Sequence, residues 1–185
     1  KNAPDYKEHR TIAKNCNFGV FYGLFPRGLQ TTLRFKAGLD TSLDRCREII
    51  DNLKAGYSGL TTWQDQTKKT AQETCYAETW LGRRRYLVGM LSEDWGKHSF
   101  AERCALNTPI QGTAADILKA ACGRIIESIS ERMWLRPLLQ IHDELVFELP
   151  VDRLDEAVAF VKECMEQQPY PEFDVPIVAE ASVGP

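Results

Sequence analysis

The chain has 185 residues, of which 43% are hydrophobic, 26% charged and 10% aromatic. That balance excludes wholesale disorder, a collagen-like fibre and a continuous coiled coil, and the length is ample for a packed core. The net charge of −3, from 23 Lys/Arg against 26 Asp/Glu, also excludes a strongly basic nucleic-acid binder.

The charge is unevenly spread. Residues 1–36 carry seven Lys/Arg against two Asp/Glu, and residues 151–185 carry two against eight. The N-terminal part suits phosphates, although an ordinary solvated surface accounts for the same pattern. The longest largely apolar stretch, residues 18–26, includes two glycines and is far short of the roughly 20 residues of a membrane span. No membrane association and a cytoplasmic location are expected. The chain has no secretory signal and does not begin with Met, so a piece of something longer is expected. Its six cysteines form no CxxC pair and are expected to be reduced thiols. The three scattered histidines complete no zinc pattern with them.

In chain order, Pro4 and Asp5 read as a helix start with Asp5 as the cap. Helical periodicity runs over 6–22 and is ended by Gly23 and Pro26. A second short helix is predicted over 27–36, then a break at Gly38, Leu39 and Asp40. Residues 41–55 predict an amphipathic helix with Leu43, Cys46, Ile49, Ile50 and Leu53 on one side. Beyond Gly56 and Gly59, residues 60–73 are again helical. The period then changes, and 75–80 and 84–88 read as short strands around Leu81, Gly82 and Arg83. A helix over 99–106, an interruption at Pro109 and a long helix over 112–133 follow. Residues 138–141 and 145–149 are apolar runs around His142, Asp143 and Glu144, a hairpin pattern. Residues 151–167 predict a helix with Leu154, Val158, Val161 and Met165 on one face, and 176–181 a last strand. A mainly helical first half, then helices mixed with antiparallel strands, defines an α+β class.

Three constellations carry chemistry. Arg10, Lys14, Phe18 and Tyr22 recur every four residues, which places them on one broad helix face. Two cations suit a polyphosphate, and two aromatic rings suit a base or sugar. The neighbouring Gly19 and Gly23 leave room for a ligand or a moving helix. The alternative is that Arg10 and Lys14 are merely solvated while Phe18 and Tyr22 are core. Second, His142, Asp143 and Glu144 sit at a tight turn. Carboxylates there suit a hard divalent ion such as Mg²⁺, but turns favour Asp in any case. Third, Arg103, Asn107 and Gln111 are four apart, although Pro109 breaks strict helical extrapolation. These side-chain types suit base edges and sugar–phosphate groups, and a helix start near Thr113 accounts for the run that follows.

Taken together, these segments resemble family A DNA polymerases, the bacterial DNA polymerase I type. Residues 10–23 resemble that family's fingers-helix motif, through Arg10, Lys14, Phe18, Gly19, Tyr22 and Gly23. Residues 79–86, with Gly82 and Arg83 to Arg85, are similar to a second stretch of the family. So are residues 102–116, with Arg103, Asn107, Gln111, Gly112, Thr113 and Asp116. Residues 140–144 resemble its palm hairpin. Order and spacing agree over essentially the whole chain.

The resemblance implies a fold of helical fingers portion plus partial palm, with residues 1–90 as fingers and following hairpin and 91–185 as palm. It implies template-directed nucleotidyl transfer with two Mg²⁺ ions, and primer–template DNA and dNTPs as partners. Arg10, Lys14, Phe18 and Tyr22 would bind the nucleotide, with Lys14 also catalytic. Arg103, Asn107, Gln111 and His142 would contact DNA. Asp143 would be catalytic and a metal ligand, and Glu144 a less direct one. Arg83 to Arg85 would either support the fold or reach DNA. Fingers closure would carry the Arg10–Tyr22 helix onto the nucleotide.

The family's other catalytic aspartate lies upstream of the fingers helix, and so does part of the fingers and the thumb. The expectation is therefore a fragment that is inactive alone, needs an N-terminal polymerase segment as partner, and self-associates through exposed sheet and apolar surface. The competing expectations are a non-catalytic nucleotide- or nucleic-acid-binding module and a single-subunit RNA polymerase. Phe18 and the His142, Asp143, Glu144 run fit the DNA enzymes better than the latter.

Overall fold

A computed structural model describes residues 6–184, so the helix start expected at Pro4 and Asp5 lies outside the described residues. The elements are α1 (Tyr6–Val20), α2 (Pro26–Ala37), α3 (Leu43–Gly56), α4 (Ser58–Thr74), β1 (Tyr76–Glu78) and β2 (Arg84–Tyr86). A 3₁₀ turn (Val88–Leu91), α5 (Trp95–Asn107), a π-helical turn (Thr108–Gly112), α6 (Thr113–Glu127) and a 3₁₀ turn (Ile129–Glu131) follow. The chain continues with β3 (Arg136–Ile141), β4 (Glu144–Glu148), a 3₁₀ turn (Val151–Arg153) and α7 (Leu154–Glu166). The class is α+β, with two separate two-stranded antiparallel sheets. The chain forms two compact units that meet in sequence at Gly112 and Thr113.

In the first unit, α1 to α4 close around Cys16, Val20, Leu29, Leu33, Cys46, Ile50 and Leu60. Each large apolar side chain fully removed from water there contributes about 1.5–3 kcal/mol. The α3 helix begins where Ser42 accepts a hydrogen bond from the Arg45 backbone N–H, which satisfies an otherwise orphaned donor. Of its predicted apolar side, Cys46 and Ile50 are buried and Leu43, in the first turn, is exposed. A second cluster of mostly small residues, including Ala71, Ala77, Ala101 and Ala105, joins α4, β1 and α5. Their size lets backbones approach closely, and this is why the unit continues through α5 to Gly112.

The end of α1 is built as a Schellman motif. Leu24 N–H donates to the Gly19 carbonyl and Gly23 N–H to the Val20 carbonyl, with Gly23 at φ +80°. Leu24 packs back onto Gly19 so closely that a Cβ there would lie 2.3 Å from Leu24 Cδ2. The space at Gly19 is therefore filled by the chain's own leucine, not kept for a ligand. The helix stops at Val20, two residues before the predicted end.

Pro109 does not break the chain. It sits in the π-helical turn Thr108–Gly112, where the wider winding tolerates the missing N–H and ring. Thr108 Oγ1 donates back to the Cys104 carbonyl at 2.7 Å.

In the second unit, α6 packs on α7, and Arg124 donates through Nε and Nη2 to the Cys164 carbonyl at 2.9 and 2.6 Å. That carbonyl belongs to the last turn of α7 and has no partner within the helix. The helix predicted over 112–133 ends at Glu127, where Ser128 sits at the edge of the right-handed helical region (φ −96°, ψ −1°) and a 3₁₀ turn takes over. The β3–β4 hairpin pairs Ile141 with Glu144, so its connection is His142 and Asp143 alone, and Glu144 is a strand residue. A register shift lies between Pro137 and Leu139, as expected where proline cannot donate to a ladder. No strand forms over 176–181. Strands need a ladder partner, and there the Ala179 N–H donates instead to the Glu166 carboxylate at 2.9 Å.

Among the described residues no helix is long and apolar enough to cross a membrane. All six cysteines are free thiols. Burial, and secondarily its neighbour Cys46, pushes the Cys16 thiol above its ordinary range.

Candidate functional site

Helix α1 divides its residues into two stripes. Ile12, Cys16 and Val20 lie against the core, while Arg10, Lys14 and Phe18 are exposed. The offset of two residues between the stripes is about 200° around the helix, so they lie nearly opposite each other. Phe18 is 59% exposed, which rules out the core alternative for that residue. Among the described residues neither Arg10 nor Lys14 joins an ion pair. The helix thus presents two unneutralised cations and an aromatic ring on one open face, backed by core on the other.

Tyr22 departs from the stripe because the helix has already ended. It is half-buried, and its hydroxyl accepts a 2.7 Å hydrogen bond from Gln111 Nε2 in the π-helical turn. The structure therefore joins two residues that the sequence assigned to separate constellations. Gln64 of α4 supports the same corner. This buried amide donates to the Val20 carbonyl at 2.6 Å and the Phe21 carbonyl at 3.1 Å, satisfying the open end of α1. Nothing in the sequence distinguishes Gln64 from a surface glutamine on an amphipathic helix.

Arg103 is exposed on α5, held by Ser99 Oγ at 2.9 Å with its guanidinium 5.9 Å from the Phe100 ring centre. Asn107 is half-buried at the last position of α5 and lines an open groove of about 180 Å³. Thr79, Arg83, Arg84, Arg85, Thr108 and Gly112 line it as well.

In the second unit, His142, Asp143 and Glu144 are all exposed. His142 adopts φ +56°, one of two non-glycine residues of the described chain in the left-handed region. A tight hairpin turn demands a positive φ at its first central position, and histidine tolerates it better than most residues. The side chains of Asp143 and Glu144 supply the hard oxygen donors that Mg²⁺-type ions take. Among the described residues no group of three His, Cys, Asp or Glu gathers as a complete cage. The two carboxylates fit such an ion in kind.

The sequence profile of DNA polymerase family A matches residues 3–185. The thermostable DNA polymerase I of Thermus filiformis is 38% identical over 175 residues, covering 95% of this chain and 20% of the relative. DNA polymerase I of Chloroflexus aurantiacus is 36% identical over 180 residues, covering 97% and 18%. The POL domain of Pol1 from M. smegmatis, solved in complex with DNA primer-template and dNTP, superposes with a TM-score of 0.81 at 34% identity, covering 94% of this chain and 29% of that one. The chain thus spans about a fifth of the length of the curated relatives it matches. A match along nearly all of this chain, at more than a third of identical residues, with a shared fold, means that the chain belongs to DNA polymerase family A.

Proposed function

We propose that this chain supplies the nucleotide-binding helix and the metal-binding hairpin of a template-directed DNA polymerase. The observation that carries the reading is the exposed stripe of Arg10, Lys14 and Phe18, opposite a buried stripe on the same helix. A dNTP presents a triphosphate and a flat base with its sugar, which match two cations and a ring spaced along about 12 Å of helix.

In this reading residues 1–90 carry the fingers portion and 91–185 the partial palm. Arg10 pairs with phosphate oxygens in a bidentate fork and Lys14 acts as a point charge on the departing phosphates. Phe18 packs beside the sugar. Tyr22, held through its hydroxyl by Gln111, lies by the templating base, and Arg103, Asn107, Gln111 and His142 position primer and template. The reaction is attack of the primer 3′-hydroxyl on the α-phosphate with release of pyrophosphate. Asp143, assisted by Glu144, would hold the divalent ions, which when bound lower the hydroxyl pKa and neutralise charge on the leaving group.

Two metal ions bring a charge of +4, and two adjacent carboxylates are a poor match for it. The chain by itself is therefore inactive in our reading, and a carboxylate from an N-terminal polymerase segment completes the donor set. The test is primer extension by the pure chain, with and without that segment. Extension only with the segment is the expected result. Extension by the chain alone would overturn the inactivity, and absence of Mg²⁺-dependent dNTP binding would overturn the whole reading.

A further inference from the structure

Among the buried residues of α4, Leu60, Gln64 and Ala71, only Gln64 is polar, and it is 5% exposed. A buried amide is costly unless it is hydrogen-bonded, and this one reaches the corner that ends α1. The Val20 carbonyl that it meets also accepts from the Gly23 N–H at 3.0 Å. The Phe21 carbonyl differs, because among the described residues Gln64 is its one hydrogen-bond donor.

That second bond bears on Tyr22. The Phe21 carbonyl and the Tyr22 N–H belong to one planar peptide unit. Gln64 Nε2 donates to its oxygen edge at 3.1 Å, and on the other edge the Tyr22 N–H donates to the Gly19 carbonyl at 3.1 Å. Held on both edges, the plane has little freedom to rotate, so it sets the direction in which the Tyr22 side chain leaves the backbone. The far end of that side chain is held by Gln111, whose Nε2 lies 2.7 Å from the hydroxyl. Tyr57, the residue before α4, packs its ring edge-on against Phe21, with ring centres 5.5 Å apart. The start of α4 and its buried amide thus grip the residue before Tyr22 by ring and backbone together.

We infer that Gln64 is a positioning residue for nucleotide binding, acting on Tyr22 through the Phe21–Tyr22 peptide. Gln64 itself touches no substrate. Without its amide the peptide is released on the oxygen edge, and the tyrosine ring loses its aim at Gln111. The inference rests on the polymerase reading, in which Tyr22 binds the nucleotide, and adds to it a residue from another helix. A merely stabilising Gln64 would affect melting and leave Tyr22 undisturbed in the folded chain.

The experiment uses the full 185-residue chain with its six tyrosines carrying ¹³C at Cζ, a nucleus that senses the hydrogen bond of the hydroxyl. Tyr22→Phe assigns the Tyr22 resonance, and Gln111→Leu gives its position without the hydroxyl's partner. The test variant is Gln64→Met, close in size and lacking the donor. The control is Gln66→Met, at an exposed position of the same helix. Gln64→Asn, which keeps the amide but shortens its reach, is the second variant should the methionine form prove unfolded by circular dichroism. The Tyr22 resonance is expected to move in Gln64→Met toward its Gln111→Leu position and to stay in the control. Affinity for dNTP, titrated with Mg²⁺ and primer–template duplex present, is measured on the same proteins and in a Tyr22→Ala background. Residues coupled through one hydrogen-bond network change a binding constant by about 2- to 100-fold. A loss in that range is expected for Gln64→Met, and it should vanish in the Tyr22→Ala background. An unmoved Tyr22 resonance in folded Gln64→Met would overturn the inference while leaving the polymerase reading intact. Unchanged dNTP affinity, or a loss that persists in Tyr22→Ala, would overturn it as well, because Gln64 would not then act on the nucleotide through Tyr22. Failure of the unmodified chain to bind dNTP would remove the polymerase reading, and this inference with it.

Discussion

The exposed stripe of α1 and the turn of the β3–β4 hairpin both present charged side chains to water, yet they are supported in opposite ways. Behind Arg10, Lys14 and Phe18 stand a buried helix face, a Schellman stop and the Gln64 amide that closes the helix end. Behind His142 and Asp143 stands a two-stranded ribbon in which every β3 residue is exposed, Leu139 and Ile141 among them. Two strands alone are marginal in water, and an open edge with apolar side chains invites a further strand. Self-association, or pairing with an N-terminal polymerase segment, is how we read that ribbon. The difference teaches that one set of groups is backed by a packed core, whereas the other rides on a two-stranded ribbon.

The sharpest way to break this comparison is to remove the cations from α1. Charge-assisted hydrogen bonds are worth about 1.5–3 kcal/mol each, so Arg10→Ala and Lys14→Ala should each weaken dNTP binding by about 10- to 100-fold. Because both side chains are exposed and unpaired, stability should move by less than about 0.5 kcal/mol. Calorimetric titration beside thermal melting checks the pair of claims. A fall in melting temperature that matches the loss of binding would make the residues structural.

Next in size is the support of the helix end. Gln64→Leu fills a similar volume but removes the side-chain donor of the Phe21 carbonyl and leaves the Val20 carbonyl with the Gly23 N–H alone. An unsatisfied buried acceptor costs about 1–3 kcal/mol. Urea unfolding should show a lower midpoint at an unchanged slope. No shift would mean that water satisfies those carbonyls as well as the amide does.

Gly23→Ala tests the Schellman stop itself. The left-handed backbone costs a non-glycine residue about 1–2 kcal/mol, and the new Cβ would lie 3.1 Å from Leu106 Cδ1. Thermal melting should register that loss. An unchanged melting temperature would show that the corner can rebuild without φ +80°.

These residues also mark what was legible beforehand. The spacing of Arg10, Lys14 and Phe18 is local information, and so are the glycine at Gly23 and the turn at His142, although the sequence reads that turn as running to Glu144, which pairs with Ile141 as a strand residue. The sequence groups Tyr22 with the nucleotide-binding residues and Gln111 with the DNA-contacting ones, because their hydrogen bond spans 89 positions and depends on a helix ending before Tyr22. The π-helical turn was hidden because Pro109 ordinarily signals a break, and only tertiary packing around Thr108 and Gly112 keeps the winding going. The expected strand over 176–181 failed for a related reason. Its composition is extended, but a strand is a property of two segments, and Ala179 found a carboxylate instead. Arg83 to Arg85 read as one basic run, and only the cross-strand register separates the paired Arg84 from the free Arg85.

The smallest effect concerns His142, where backbone and chemistry can be separated. At φ +56° the residue carries left-handed strain of about 1–2 kcal/mol for an ordinary side chain. Glycine removes that strain but adds about 0.5–1 kcal/mol of unfolded-state entropy. His142→Gly should therefore be neutral or stabilising by up to roughly 1 kcal/mol. His142→Asn keeps a side chain that tolerates the left-handed region and should leave stability nearly unchanged. If the imidazole contacts DNA, as we propose, both variants lose affinity for primer–template duplex without any fall in melting temperature. A histidine present only to make the turn would instead let the glycine variant bind DNA as well as the original chain. Melting and duplex binding measured on the same two variants decide between those roles, because strain acts on the first readout and the ring's hydrogen bonds on the second.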